Sequence, residues 1–375
     1  MTGFVFCKER FCLERTAAFQ FYTFSMLVDT YQLFDILKEV PGGFLITERK
    51  RREAEMEFSQ IQAKLMQKRR EKGVLIAAHR GTFGASILQN TKTAYKNALL
   101  HGADIIEVDV AKSSDGVLYA HHFGTEKQVF GKDIDIRTMP AHEIDKLVSI
   151  NALGIPVDHS LCRLDDILEE FKGKCFINID HAWFNWETVI RALQRHNMQD
   201  QIILKSHVDD QLSASYKELG GDMMYMPILK NGADYINEFK RVEAFELPIV
   251  AAEVLMTDQT AVDHAPELIR YLHRGGYLAW VNTLTMSDKI PQAVLEQFPE
   301  NVRSSPEIKG MLDMLREGKK ASFCYGFDDN TAIEQGMEAA YGKLIDMGYD
   351  VLQTDWPALV RQYLLERSCQ NHILP

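Results

Sequence analysis

The chain lacks several features that would place it in a class at once. Its six cysteines (Cys7, Cys12, Cys162, Cys175, Cys324 and Cys369) include no Cys-x-x-Cys pair. In 375 residues they make no disulfide framework, which favours a reducing compartment. Cys175 and Cys324 sit among apolar residues and are expected to pack as small hydrophobes. No Gly-x-Gly-x-x-Gly follows an apolar run, so the signature of a dinucleotide-binding sheet is missing. The apolar run Ala17 to Val28 ends at Asp29, short of the roughly twenty residues a spanning helix needs. It reads as an amphipathic or packed helix, and membrane contact is the weaker alternative. Met1 to Arg15 is interrupted by charge and has no apolar core, so no secretory leader is visible. The expected location is therefore cytoplasmic. Most of the chain is also poor in positive charge. Residues 1–72 carry 13 Lys and Arg against 10 Asp and Glu, and the rest carries 29 against 43, a net of −14. A nucleic-acid groove needs clustered Lys and Arg, so nucleic acid is excluded as a partner. A cation-binding pocket fits.

What is present is ordinary for a soluble globular protein: 46% hydrophobic and 25% charged residues, enough for one large domain or two smaller ones. Residues 1–70 read as a helical extension. Thr23 to Leu37 has helical spacing, Pro41-Gly42-Gly43 breaks it, and Glu48 to Arg70 is a charged helix with a solvated face. This segment is expected to be dispensable for chemistry, and Met26, Met56 and Met66 offer alternative starts. Residues 71–368 read as the main domain. Strand-like runs fall near 74–79, 104–110, 175–180, 201–206, 223–229, 248–255, 277–283 and 349–355, each followed by a helical stretch. Strands apolar on both faces that alternate with helices form parallel sheets. Eight such units predict an α/β fold, a (β/α)8 TIM barrel.

One further strand, 117–122, breaks the alternation. Asp115-Gly116 is a strong two-residue hairpin turn, so this strand folds back on the second. Pairing about that turn sets Asp109 opposite His122, while a bulge would bring in His121 instead. Between the last two strands, Met286 to Gly348 is a long insertion with a helical stretch from Glu307 to Arg316 and a loop from Phe323 to Asn330. A lid and a surface excursion are both open readings.

Barrel active sites collect at the carboxyl ends of strands. His79, Glu107, Asp109, Asp180, Lys205, Asn282 and Asp355 all fall there. Glu107 and Asp109 are two apart and share a face. Two carboxylates on one buried face repel unless a cation joins them, and oxygen ligation suits Mg²⁺ or Ca²⁺. Asp180 on the neighbouring strand is the natural third ligand. The bland alternative is a salt bridge from Arg80 or Lys205 with no metal. His79 and His122 supply a general base and a general acid. Arg80 and Lys205 can neutralise a phosphate, and Trp280 and Asn282 are expected to line the pocket. The set describes phosphodiester cleavage better than acyl or hydride transfer.

His79-Arg80-Gly81, Asn90-Thr91, Gly102-Ala103-Asp104, Glu107-x-Asp109, Asp115-Gly116, His122 and Thr354-Asp355 resemble, in order and spacing, the glycerophosphodiester phosphodiesterase family. The resemblance covers residues 74–360. It implies a barrel of the phosphatidylinositol-phospholipase-C type, a divalent metal, and hydrolysis of small glycerophosphodiesters to glycerol 3-phosphate and an alcohol. It also implies that His79 and His122 are the catalytic pair, with Glu107 and Asp109 as metal ligands. Three positions depart from the family. Leu88-Gln89 stands where Pro-Glu is usual, Phe123 replaces the Asp after the second His, and Asp180-His181-Ala182 replaces Glu-x-Lys. Two alternatives remain: a phospholipase D-like lyase acting on sphingomyelin or lysophospholipid, and a non-catalytic binding protein on the same barrel. The sequence sets no oligomeric state.

Overall fold

The computed structural model describes residues 62–157, 161–284 and 323–371. Eight parallel strands form a closed barrel: β1 (Leu75–Ala78), β2 (Ile105–Lys112), β4 (Phe176–Asp180), β5 (Ile202–His207), β6 (Met224–Leu229), β7 (Ala251–Val254), β8 (Leu278–Asn282) and β9 (Val351–Thr354). β1 pairs with both β9 and β2, which closes the ring. Each strand overlaps one of the eight apolar runs of the sequence, with β2 and β5 running one or two residues further, because a strand buried on both faces reads as continuous apolar residues. The helices of the outer layer include Lys92–Leu100, Trp186–His196, Asp210–Glu218, Tyr235–Glu243, Gln259–Gly275 and Pro357–Asn371.

Side-chain alternation splits each strand between two environments. Ile76, Ala78, Ile106, Val108, Ile177, Ile179, Ala252 and Leu352 pack in the core under the helices. Leu75, Ala77, Ile105, Phe176, Ile203, Ala251, Leu278, Trp280 and Val351 fill the barrel interior. Two or four residues further on, the interior positions turn polar: Glu107, Asp109, Asn178, Lys205, Glu253, Asn282 and Gln353, all buried. The period of two thus stacks an apolar plug under a polar rim.

A helical segment, residues 62–72, packs against the amino end of the barrel. Leu65 is 1% exposed and joins the interior cluster. Arg69 Nε lies 2.7 Å from Asp350 Oδ1, and Lys72 Nζ lies 2.6 Å from Asp104 Oδ1, both acids being buried. Asp104 also accepts the Ile76 N–H, and Asp350 accepts the Ala279 N–H. The boundary expected at residue 71 therefore falls inside a helix that closes the barrel floor. Residues 1–61, with the run from Ala17 to Val28, lie outside the described residues, as does the stretch Glu307 to Arg316 of the long insertion. Among the described residues no helix is long and apolar enough to cross a membrane. Cys175 and Cys324 are buried in the main core.

The hairpin corrects one expectation. β3 (Leu118–Ala120) pairs with β2 as Val110↔Ala120, Ala111↔Tyr119 and Lys112↔Leu118. This register sets His121 opposite Asp109, and His121 N–H donates to Asp109 O at 3.1 Å. The turn holds three residues, not two. Ser113 N–H reaches Val117 O at 2.9 Å, and Gly116 sits at φ +93, a left-handed position that glycine takes without strain. Asp115 is occupied in bracing the loop, accepting from Ser113 Oγ at 2.6 Å and from Ala141 N–H at 2.9 Å.

Candidate active site

The histidine that faces the rim is nonetheless His122. The ladder ends at Ala120, and a turn with Thr125 N–H on His122 O swings the chain back over β2. His121 is buried on the far side, 5.7 Å from the Phe130 ring and 3.7 Å from Glu126 Oε1. One ring nitrogen of His122, one of His181 and a carboxylate oxygen of Asp109 all lie within 4.8 Å of one another.

The loop after β1 is built for close approach. A Cβ on Gly81 would meet Ala94 C at 2.6 Å, so only glycine lets this loop lie on the following helix. Arg80 N–H then donates to Glu107 Oε2 at 2.9 Å, and Arg80 Nε pairs with Asp109 Oδ2 at 2.9 Å. Asn90, at φ +56, donates Nδ2–H to Asp109 Oδ2 at 2.8 Å. Its Oδ1 accepts from Tyr95 OH at 2.7 Å and from Asp109 N–H at 3.2 Å. Thr91 caps the helix Lys92–Leu100 by accepting the Ala94 N–H. The Asn-Thr pair therefore positions Asp109 and starts a helix. Gln89, in place of the usual acid, accepts from Arg80 Nη1 at 3.0 Å.

Glu107, Asp109 and Asp180 each offer an oxygen within 4.8 Å of the others. Asp109 and Asp180 stand side by side in the β2–β4 register. Glu107 Oε1 is buried and has no hydrogen-bond partner, while Asp109 Oδ1 is buried with His181 Nδ1 3.3 Å away. Buried carboxylate oxygens of this kind call for a cation. Four carboxylates, Glu107, Asp109, Asp180 and Glu253, face two permanent cations, Arg80 and Lys205, and the imidazole of His181. The imbalance suits a divalent ion, and an all-oxygen set suits a hard one.

Burial, with the charges of Asp109 and Asp180, raises Glu107 well above the usual carboxylate range. Burial would also raise Asp109, but Arg80, His122 and His181 override it and hold Asp109 well below that range. Burial and the nearby Arg80 keep His122 neutral. His181 moves the other way: burial opposes its charge, but Asp180 and Asp109 outweigh burial and raise it.

Lys205 and Trp280 are placed differently from the sequence expectation. Lys205 Nζ lies 2.9 Å from Asp180 Oδ2 and 2.9 Å from Glu253 Oε2, so its charge is already matched by carboxylates. Trp280 does not line the pocket. It is 1% exposed in the interior plug, two residues below Asn282, and fills the barrel where a rim position was expected. Asn282 does reach the rim and donates to Glu253 Oε1 at 3.0 Å. His79 Nδ1 lies 2.8 Å from Asp355 Oδ1.

Sequence reasoning missed His181, Glu253 and Asp329. His181 follows a strand-end Asp at φ +59, and its signal was the departure Asp180-His181-Ala182. Glu253 is a lone acid inside an apolar run. Asp329, from the insertion, accepts from Thr283 Oγ1 at 2.7 Å, Tyr341 OH at 2.9 Å and Asp355 N–H at 3.0 Å. It fixes the backbone of the residue that orients His79.

The sequence profile of the glycerophosphoryl diester phosphodiesterase family matches residues 79–359. The chain belongs to this family. The match begins at His79 and takes in every rim residue described above. A glycerophosphodiester phosphodiesterase of Caldanaerobacter subterraneus subsp. tengcongensis is 28% identical over 141 residues, which is 35% of this chain and 57% of that relative. The chain thus spans little more than half the length of that relative. A crystal structure of a glycerophosphoryl diester phosphodiesterase from Parabacteroides distasonis superposes with a TM-score of 0.58 at 17% identity, over 78% of this chain and 87% of that one. An Oleispira antarctica phosphodiesterase, solved in complex with the product sn-glycerol-3-phosphate, superposes with a TM-score of 0.52 at 15% identity, over 78% and 96%. At these identities the structural likeness is one of fold, and the family's barrel is the one found here.

Proposed function

We propose that the chain hydrolyses glycerophosphodiesters to glycerol 3-phosphate and an alcohol, with a divalent cation, Mg²⁺ or Ca²⁺, held by Glu107, Asp109 and Asp180. The observation that carries this is the convergence of Glu107, Asp109 and Asp180 oxygens within 4.8 Å of one another, with Glu107 Oε1 buried and unpartnered, beside two oriented histidines. When bound, the cation polarises the phosphoryl oxygens and neutralises developing charge. The protein supplies the proton transfers. His122 Nδ1 lies 2.8 Å from Phe123 O, and a carbonyl only accepts, so the ring proton sits on Nδ1 and the lone pair on Nε2. Held neutral, His122 is suited to take a proton from the attacking hydroxyl. His79, oriented by Asp355, is left to protonate the departing alcohol oxygen. Arg80 and Asn282 stand at the rim to meet the phosphate and glycerol oxygens.

The test is release of glycerol 3-phosphate from glycerophosphocholine by the purified chain, with EDTA and after restoring Mg²⁺ or Ca²⁺. We expect turnover that EDTA abolishes and a divalent ion restores. Full turnover in EDTA would remove the cation from the reading, and absence of turnover on glycerophosphodiesters in any divalent ion would remove the activity.

A further inference from the structure

Asp109 belongs to two sets of ligand atoms. One is the oxygen set with Glu107 and Asp180. The other joins Asp109 to a ring nitrogen each of His122 and His181, again within 4.8 Å of one another. Hydrolysis needs Asp109 and His122 separately, and His181 has no part in it. The second set nonetheless carries the marks of a metal site. His122 is anchored through Nδ1 on Phe123 O at 2.8 Å, so Nε2 keeps its lone pair. Metal-bound histidines are held in this way, with the other ring N–H on a carbonyl. Asp109 Oδ2 is taken by Arg80 Nε at 2.9 Å and Asn90 Nδ2 at 2.8 Å, which leaves Oδ1 to a cation. His181 Nδ1 stands 3.3 Å from that Oδ1. A charge-assisted hydrogen bond would draw the two atoms to about 2.7–2.9 Å. Two ligands on one tetrahedral zinc, with bonds of about 2.0–2.1 Å, lie roughly 3.3 Å apart. The His122 and His181 rings meet at 80° with 4.7 Å between centroids. Phe123 at 4.9 Å and Trp183 at 5.1 Å pack against His181, an apolar shell of the kind that limits solvent around a bound metal.

We propose that Asp109, His122 and His181 form a second cation site, for a borderline divalent ion of the Zn²⁺ class, and that an ion held there blocks hydrolysis. Imidazole nitrogens suit Zn²⁺, whereas Mg²⁺ and Ca²⁺ take oxygen. The ion occupies the Nε2 lone pair of His122, which is the pair that would accept a proton from the attacking hydroxyl. It also occupies Asp109 Oδ1, the oxygen left to the hard ion. The block therefore rests on the hydrolytic reading above, while the site itself does not.

The experiment is calorimetric titration of the full chain and of His181→Asn with Zn²⁺ and, separately, with Mg²⁺. Asn readily takes the left-handed backbone of His181, at φ +59, so the variant should fold. Zn²⁺ should bind the full chain, and His181→Asn should weaken it by more than about a hundredfold, beyond what loss of an outer partner costs. Mg²⁺ should bind the variant at least as well as the full chain. Equal Zn²⁺ affinity in the two chains would mean zinc on surface side chains, and a parallel loss of both ions would mean a His181 that only steadies Asp109. Either result overturns the site. A second measurement needs no variant. Zinc-edge X-ray absorption of the chain carrying one equivalent should show two imidazole nitrogens, and an all-oxygen shell or a single imidazole overturns the site. In turnover of glycerophosphocholine with Mg²⁺, bound Zn²⁺ should lower the rate by roughly 10² or more, the share of a general base, and added Mg²⁺ should restore it. Undiminished turnover with both imidazoles on zinc would overturn the block. A chain that binds Zn²⁺ as expected but turns over in no divalent ion keeps the site and refutes the hydrolytic reading alone.

Discussion

Lys205 tests whether the second rim cation serves substrate or scaffold. Its side chain is 2% exposed and sits 2.9 Å from an oxygen of Asp180 and 2.9 Å from one of Glu253. Lys205→Met keeps most of the volume and removes the charge. Two carboxylates then face each other with no cation between them. Breaking a buried pair by removing one partner costs about 3–5 kcal/mol, a large part of a total stability of about 5–15 kcal/mol. Glu253→Gln alone should cost less, roughly 1–3 kcal/mol, because Lys205 keeps Asp180 and Gln still accepts from Asn282. The double variant leaves only Asp180, which is 17% exposed and can be hydrated. It should therefore be more stable than the sum of the single changes by about 2 kcal/mol. Urea unfolding in EDTA, followed by circular dichroism, measures all four corners of the cycle. Repeating it with Mg²⁺ or Ca²⁺ should narrow the gap, since an ion can stand in for the lost ammonium. A lysine kept for phosphate would behave oppositely, with stability within about 0.5 kcal/mol of the parent and a raised KM. That outcome would refute the assignment.

Three further outcomes follow from the geometry. His122→Ala should lower turnover by roughly 10² or more, while His121→Ala keeps turnover within a few-fold and loses stability through the void left against Phe130; steady-state rates and melting curves separate the two, and the reverse pattern would refute the placement. A chain starting at residue 73 should melt well below one starting at residue 62, because it loses the burial of Leu65, about 2–5 kcal/mol, and takes Lys68 and Lys72 from Asp104 and Arg69 from Asp350, which keeps only His273; equal melting temperatures would show that the floor helix carries no stability. Burial, helped by the charge of Asp355, pushes Asp329 up to about 7 against the pull of the Thr283 and Thr354 hydroxyls. The folded state then holds its proton longer than the unfolded chain, so stability falls as pH rises from about 4 to about 7 and is flat above. Asp329→Asn should remove that slope, and a stability difference that does not change between pH 4 and pH 8 would show Asp329 ionised throughout.

Much of the barrel is legible in the chain because its determinants are local. Each barrel strand is a short run apolar on both faces, and each is closed by helix or loop signals within a few residues. The period of two also explains why His79, Glu107, Asp109, Asp180, Lys205, Asn282 and Asp355 could be named together. They occupy the next interior positions beyond an apolar plug, on strands that all point the same way. What the chain alone left open depends on contacts between distant segments. Lys205 reads as a phosphate partner until Glu253, 48 residues away, is brought within 2.9 Å of it. Trp280 reads as a pocket residue until the length of β8 shows it one layer too deep. Asp355 orients His79 across 276 residues, and Asp329 holds Asp355 from an insertion whose role no local pattern announces. The hairpin shows the same division within ten residues. Asp115-Gly116 announces a turn, but a third loop residue moved the register by one, and only the turn after Ala120 brought His122 back over the carboxylates. Patterns within a strand follow from backbone geometry and solvent, which every stretch meets alone. Pairings across the barrel depend on where the ring closes, and that is decided only when all eight strands are in place.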